Sequence, residues 1–442
     1  MSSNTQERFL EPDDDFGHVV QCRPREVSRP GNVEELVEIV AEARQKGTRV
    51  VARGMGHSVF GQSQVLDGRL VDMSSMRRVW VEDDFAIAEA GASWSDVVRV
   101  TVAHGLTPKV LTDYIGLSVG GTLSVGGIGG SSFRFGSQTD QVRELTVVTG
   151  TGDLRKCSAT RDSDLFDAVR GGLGQLGVIT HAKLPLAQAP SHVRHYRIPY
   201  ATVTNLLVDL DQLAAEGRMD QVSAVGVIDH AGQWRFHIDA VLDFAEGSPP
   251  DDASALAGLR CLVDEIEITD LPYLQYCIRL DAVIASWHTS GLWQAPHPWV
   301  DVFVPGTRLL ELAQPTVASL GPEDLGTEGA MLLIYPVSTA HASTPLLPLP
   351  KSSERAYLFD VLRCTPGASS AKIQQLLGEN RGIYEQALEL GGSLYPISAV
   401  TMTPEDWQRH FGQHWTAFAA AKRRHDPDGL FGGQCRIFAP GS

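Results

Sequence analysis

Residues 53–62 read RGMGHSVFGQ, and the reading of the whole chain turns on them. A short apolar run, RVVA at Arg49–Ala52, stops at Arg53. Gly54 and Gly56 then flank Met55 and bring the backbone to His57, with Ser58, Gly61 and Gln62 behind it. Glycine lets a backbone take positive φ or approach a ligand closely, at an entropic cost. A chain that strips side chains from the approach to one histidine is built to hold that ring against something flat. A histidine satisfied within an ordinary core is the plainer alternative, and other stretches must separate the two.

The sequence has 442 residues, which predicts two domains. Apolar residues make up 43% and charged residues 20%, the texture of a globular protein. The 37 basic against 53 acidic side chains give a net charge of −16, which argues against a nucleic-acid or anionic-membrane surface. No apolar stretch approaches a membrane span. The opening MSSNTQERFLEPDDDF lacks the basic and apolar regions of a signal peptide, so a cytoplasmic protein is expected. Cys22, Cys157, Cys261, Cys277, Cys364 and Cys435 show no CxxC spacing, and the histidines form no HExxH. Isolated thiols and no metal are expected.

Around the decapeptide, residues 31–48 predict a helix with Leu36, Val37, Val40 and Ala43 on one face and Gly47 as its stop. Strands are predicted at 70–72, 85–91 and 177–182, and helices at 93–104 (Ser93 as cap) and 163–170. Residues 142–158 read as a hairpin turning at 150–153. Beyond a break near 187–191, apolar strand-like pieces (VSAVGVI, WRFHIDAVLDF, WVDVFVP, AMLLIYPV) dominate. PLLPLPKSSE (345–354) reads as a surface loop or flap, 404–425 as one amphipathic helix, and 426–438 as a turn-rich tail. Irregular mixing of helices, strands and hairpins predicts an α+β fold.

Residues 116–136, GLSVGGTLSVGGIGGSSFRFG, hold eight glycines in 21 positions, interleaved with Ser118, Thr122 and Ser124. Freed backbone amides beside hydroxyls make a cradle for a pyrophosphate. A flexible linker is the alternative, but it would lack the spaced Leu117, Val119, Leu123, Val125 and Ile128. GGLGQLG (171–177) contains a formal GxGxxG, yet a helix precedes it and a strand follows, the reverse of a dinucleotide loop. Asp113, in LTDYIG just before the cradle, is either a turn cap or a carboxylate on an apolar lip, raised in pKa and able to act as acceptor or base.

RGMGHSVFGQ, LTDYIGLSVGGTLSVGGIGG, DLFDAVRGGLGQLGVIT, GLWQAPHPWVDVFVP and the closing WQRHFGQHW…DPDGLF…GQCRIF occur in this order. Together they resemble the cytokinin dehydrogenases, covalent flavoenzymes of the vanillyl-alcohol-oxidase type, over about residues 20–438. The resemblance implies FAD bonded through His57 to its 8α-methyl. Ala52, Gly54, Met55, Gly56, Ser58 and Gln62 would line that loop. Asp113, Ser118, Ser124, Ile128, Ile179 and Tyr395 would contact the cofactor, and Gln434 would close the site. Asp113 matches the family's catalytic aspartate, which accepts the N–H of an N6-substituted adenine while hydride passes to the flavin. An electron acceptor, oxygen or a quinone, completes the turnover.

The implied architecture is a PCMH-type FAD-binding domain at 1–190, a substrate domain on an antiparallel sheet at 191–389, and a return to the first domain at 390–442. Trp293, Trp299 and Val304 are expected as apolar walls for a flat purine. Ile284 stands where the family usually carries a glutamate, with Asp281 the nearest acid, and Met55 replaces the more usual arginine or glutamine. No cysteine lies between Asp113 and Gly136, so one covalent flavin bond is expected, not two. A polyol or aldonolactone oxidase on the same scaffold is the nearest rival reading. A flavin-binding protein without turnover is the rival from another class.

Overall fold

The computed structural model describes residues 10–326 and 329–438. Its strands form three sheets. The smallest is parallel, ordered Glu26–Ser28, Arg69–Asp72, Val50–Arg53. The helix Val33–Lys46 makes its first crossover, and its bounds follow from sequence. Asn32 caps the start by accepting from the Glu35 N–H, and Gly47 ends it at φ 61°, where a side chain is resisted. Leu36, Val40 and Ala43 are fully buried, each large aliphatic contributing about 1.5–3 kcal/mol. They pack on Val50, Val71, Leu430 and Phe431, so the C-terminal tail closes the core that the first strands open.

The second sheet runs Val79–Glu82, Phe85–Glu89, Gly177–Gln188, Glu144–Thr149, Leu154–Cys157, with Leu106–Pro108 paired to the end of the long strand. The predicted hairpin is its last pair. Ser93 caps the helix Trp94–Val102 in a capping box with Asp96, two orphan donors satisfied at once. GGLGQLG sits between the helix Ser163–Val169 and the strand from Gly177, as its sequence context requires.

The third sheet is antiparallel and eight-stranded: Glu267–Pro272, His192–Tyr200, Trp234–Phe244, Gln221–Ile228, Met331–Ser338, Arg355–Leu362, Val300–Pro305, Ser393–Leu394. Its period-two alternation decides which side chains face which layer. Val300, Val302 and Val304 face one core with Leu309, Leu312 and Tyr384 of two covering helices. Phe303, Tyr335 and Leu358 face the other way, against Ile128 of the glycine-rich segment and Tyr395. The whole is α+β, as the sequence predicts.

Two expectations fail. The stretch 345–354 is not a surface loop over its first half: Leu346, Leu347 and Leu349 are 2%, 3% and 6% exposed, because three leucines offset the exposure that its prolines suggest. The helix predicted over 404–425 is two helices, Pro404–Phe411 and Trp415–His425. Gly412 separates them at φ 49°, opening a 3₁₀ turn.

Candidate active site

His57 leaves the strand Val50–Arg53 on a loop that only glycine permits at two places. A Cβ on Gly54 would stand 1.8 Å from Ser118 Oγ, and one on Gly56 would meet the Arg53 guanidinium at 2.6 Å, at φ 71°. Gly54 therefore lets the histidine loop touch the glycine-rich segment at Ser118, which caps the short helix Val119–Leu123. The half-buried His57 ring lies flat against Phe16, centroids 4.0 Å apart and planes 13° apart. Tyr114, Trp293 and Trp299 surround it at 5.4, 5.6 and 5.9 Å. Desolvation lowers its pKa to about 4, so the imidazole is neutral and keeps a lone pair.

The segment before the first strand, read from sequence only as an acidic lead, builds this site. Phe16 N–H donates to Gly56 O at 2.9 Å and Gly17 N–H to Ser58 O at 3.1 Å. Asp15, fully buried, accepts from Ser58 Oγ at 3.0 Å and Gly61 N–H at 2.7 Å. Burial raises its pKa to about 7, against the lowering effect of those bonds. Beyond Phe16 lies His297, stacked at 4.2 Å and 17°, its pKa pushed down to about 3 by burial.

Asp113 is not on an apolar lip. Its Oδ1 accepts from Arg279 Nη2 at 2.7 Å and its Oδ2 from the Tyr335 hydroxyl at 2.6 Å. Burial, then the Asp113 charge, raise the Tyr335 phenol well above its ordinary range, so it stays a donor. Burial opposes the Arg279 charge, but Tyr276 and Asp113 outweigh it and raise that pKa. Neither partner was predicted, since both pairings are set by tertiary structure: Tyr335 lies on the third sheet and Arg279 just before the helix Asp281–Ser290.

Other nominated residues divide. The Tyr395 hydroxyl accepts from Gly127 N–H at 2.9 Å, and Gln434 lies beside Gly61. Gln62 ties the loop to the carbonyls of Pro396, Ile397 and Ser398. Met55 and Ser58 are half-buried in the loop, and Ser124 Oγ donates within its own segment to Gly120 O. Ile128 packs with Tyr335 and Tyr395, Ala52 with the helix-and-tail core, and Ile179 inside the second sheet's core. Ile284 and Trp287 pack with Trp293 and Phe16 near His57.

The expected apolar wall needs correction. Val304 faces the far core, because the alternation of VDVFVP turns Asp301 toward the site layer instead. Asp301, Asp360, Leu333, Val225 and His237 are successive cross-strand partners in one row across the sheet. Asp301 and Asp360 are buried together. Desolvation lifts Asp301 to about 7 and Asp360 well above the carboxylate range, so the pair holds a proton at neutral pH. Asp239, on the next strand position but one from His237, accepts from His195 Nε2 at 2.8 Å.

The expected cradle of free amides needs correction: Gly120 N–H donates to Ala90 O, Gly121 N–H to Ser118 Oγ, Gly126 N–H to Thr122 O and Gly127 N–H to the Tyr395 hydroxyl. What fits a flat group is the stripped glycine approach to a neutral His57. Residues 24–158 match the family described as FAD binding domain, and residues 251–438 that described as cytokinin dehydrogenase 1, FAD and cytokinin binding. Fold and matches define an FAD-dependent oxidoreductase with a PCMH-type FAD-binding domain. Among relatives, the chain is 39% identical to an uncharacterized oxidoreductase of the fasciation locus of Rhodococcoides fascians, over 97% of this chain and 95% of that one. It is 30% identical to cytokinin dehydrogenase 9 of Oryza sativa subsp. japonica, over 97% and 88% of the two chains. With cytokinin dehydrogenase 5 of the same plant the identity is 33%, over 93% and 86%. The chain belongs to the cytokinin dehydrogenase family. Among the described residues no helix is long and apolar enough to cross a membrane, and no group of three His, Cys, Asp or Glu could hold a metal ion.

Proposed function

We propose that the protein oxidises the N6 side chain of cytokinins such as isopentenyladenine or zeatin, with FAD held covalently by His57. The reading is carried by the Asp113 carboxylate, gripped between Arg279 and Tyr335 where the glycine-rich segment meets the eight-stranded sheet. When bound, FAD supplies a hydride acceptor at N5 for the carbon beside N6. A carboxylate has about four lone-pair sites, and the two donors leave room for a third. Asp113 takes the substrate N–H there, orients the amine and accepts its proton as the C=N bond forms. One hydride leaves carbon, one proton leaves nitrogen, and water hydrolyses the imine to adenine and an aldehyde.

For the attachment, His57 offers a neutral ring nitrogen. A bond from that nitrogen to the 8α carbon would replace one hydrogen on the carbon and one on the imidazole, and the two electrons released would go to dioxygen or a quinone. The Trp293 and Trp299 rings beside His57 give a flat substrate its apolar contacts. The rival polyol or aldonolactone reading draws on the neighbouring Asp301 and Asp360, whose carboxyl groups suit hydroxyls.

Two measurements test the proposal. Denatured wild-type protein is expected to stay yellow and fluorescent, and His57→Ala to release its FAD; flavin found wholly in the acid supernatant of the wild type overturns the linkage. In anaerobic mixing, isopentenyladenine is expected to bleach the flavin. Bleaching by a sugar alcohol or aldonolactone alone supports the rival oxidase, and no bleaching by any of them supports a flavin-binding protein without turnover.

A further inference from the structure

We propose that Asp15 and Phe16 are positioning residues for cofactor attachment, fixing the plane and edge of the His57 ring. The inference rests on the reading that His57 carries FAD. The reactive lone pair of an imidazole nitrogen lies in the ring plane, so the direction of attack is set by how that plane is held. Glycine flanks alone leave it free, since Gly54 and Gly56 offer the ring no wall. Phe16 supplies the wall: its ring covers one His57 face at 4.0 Å, leaving the in-plane edge as the side from which a bond can form.

Phe16 is itself clamped. His297 stacks on its other face, His297 Nδ1 lies 3.1 Å from Phe16 O, and His297 N–H donates to Gly17 O at 2.8 Å. Asp15 fixes the loop on the far side of His57 through Ser58 Oγ and Gly61 N–H. Together with the Phe16 N–H and Gly17 N–H bonds to Gly56 O and Ser58 O, it holds the chain at 56, 58 and 61. Gly17 is required for this approach, since a Cβ there would lie 2.0 Å from Val59 O. The second Asp15 oxygen is buried without a partner, so an asparagine here would keep the acceptor oxygen but set two buried N–H donors where the bare oxygen now stands, a larger unmet demand.

The test separates attachment from binding. Apo-protein of wild type, Phe16→Leu, Asp15→Asn and Asp15→Glu is reconstituted with FAD. Total bound flavin is read after gel filtration, and covalent flavin by fluorescence in a denaturing gel. In Phe16→Leu and Asp15→Asn, total flavin is expected near the wild-type level, because the glycine-rich segment and the eight-stranded sheet are untouched. Covalent attachment is expected to slow at least tenfold, about 1.4 kcal/mol or more. Asp15→Glu, which keeps a carboxylate, is expected to recover part of the rate. Attachment at the wild-type rate in both variants overturns the proposal. Total and covalent flavin falling in parallel also overturns it, since that is the signature of a residue that merely holds the fold. Wild-type protein that never attaches FAD refutes the His57 linkage itself, a failure read in a different arm.

Discussion

Gly54→Ala puts one methyl group where the histidine loop meets the cradle. The added carbon would stand 1.8 Å from Ser118 Oγ and 2.7 Å from Ser118 Cβ, against an ordinary contact near 3.4–4 Å. Rotating the hydroxyl away relieves the first overlap and gives up the cap bond to Gly121 N–H, a loss of about 0.5–2 kcal/mol. The second overlap involves a carbon fixed to the backbone, so the loop and the cradle must separate by roughly 0.7 Å or more. Misplacement of a reacting group by about 1 Å costs on the order of 10²-fold in rate. Covalent FAD attachment by Gly54→Ala apo-protein, followed by in-gel fluorescence against time, is therefore expected to slow between tenfold and a hundredfold. Ser118→Gly removes both offending atoms and, as a cap, costs only a few tenths of a kcal/mol. The double variant Gly54→Ala/Ser118→Gly is expected to return to within a few-fold of wild type. A normal rate in the single variant, or no recovery in the double, would refute the claim that this contact sets the loop's approach.

Asp113→Asn keeps the shape of the site and removes the proposed proton acceptor; anaerobic flavin reduction by isopentenyladenine is expected to fall about 10²–10⁴-fold, with substrate affinity little changed. Tyr335→Phe removes one donor to that carboxylate, a bond to a charged group worth about 1.5–3 kcal/mol, and the same assay should show a loss of about ten- to a hundredfold. His410 is buried with both ring nitrogens unpartnered, and burial lowers its pKa to about 4. Its sign is fixed: the unfolded chain takes up the proton near pH 6.5 and the fold does not, so this residue's contribution falls as pH drops from 6.5 toward 4. Asp15 and Asp301, raised to about 7, work in the opposite sense. The His410→Phe difference isolates the histidine: in urea unfolding, the variant should gain about 2 kcal/mol on wild type between pH 7 and pH 5, and an unchanged difference would refute the assignment.

What the sequence made legible was local. Gly47 ended its helix, Ser93 capped another, and the flanking glycines singled out His57, because each signal acts within a few residues. Asp15 and Phe16 were missed because an acidic run before the first strand carries no local sign that it folds back on a loop forty residues later. Arg279 and Tyr335 were missed for the same reason, as neither has a neighbour in sequence that hints at Asp113. Asp301 is different. The strict alternation VDVFVP already turned it away from Val300, Val302 and Val304, but the apolar tone of the stretch masked a polar residue on the site face. In 345–354 the prolines spoke for exposure, while the leucines between them decided burial.

The closing tail sets an order of events. Val50 N–H, at the root of the histidine loop, donates to Leu430 O at 2.9 Å. Lys422, buried, donates to Gln175 O, Phe431 O and Asp426, fastening that tail from a helix near the end of the described chain. During synthesis the strand carrying His57 leaves the ribosome early and waits through nearly the whole chain for its last partner. A chain cut before residue 422 would keep the pairing of Val50–Arg53 with Arg69–Asp72 but lose Leu430 and Phe431, which close the far side of the core beneath the histidine loop.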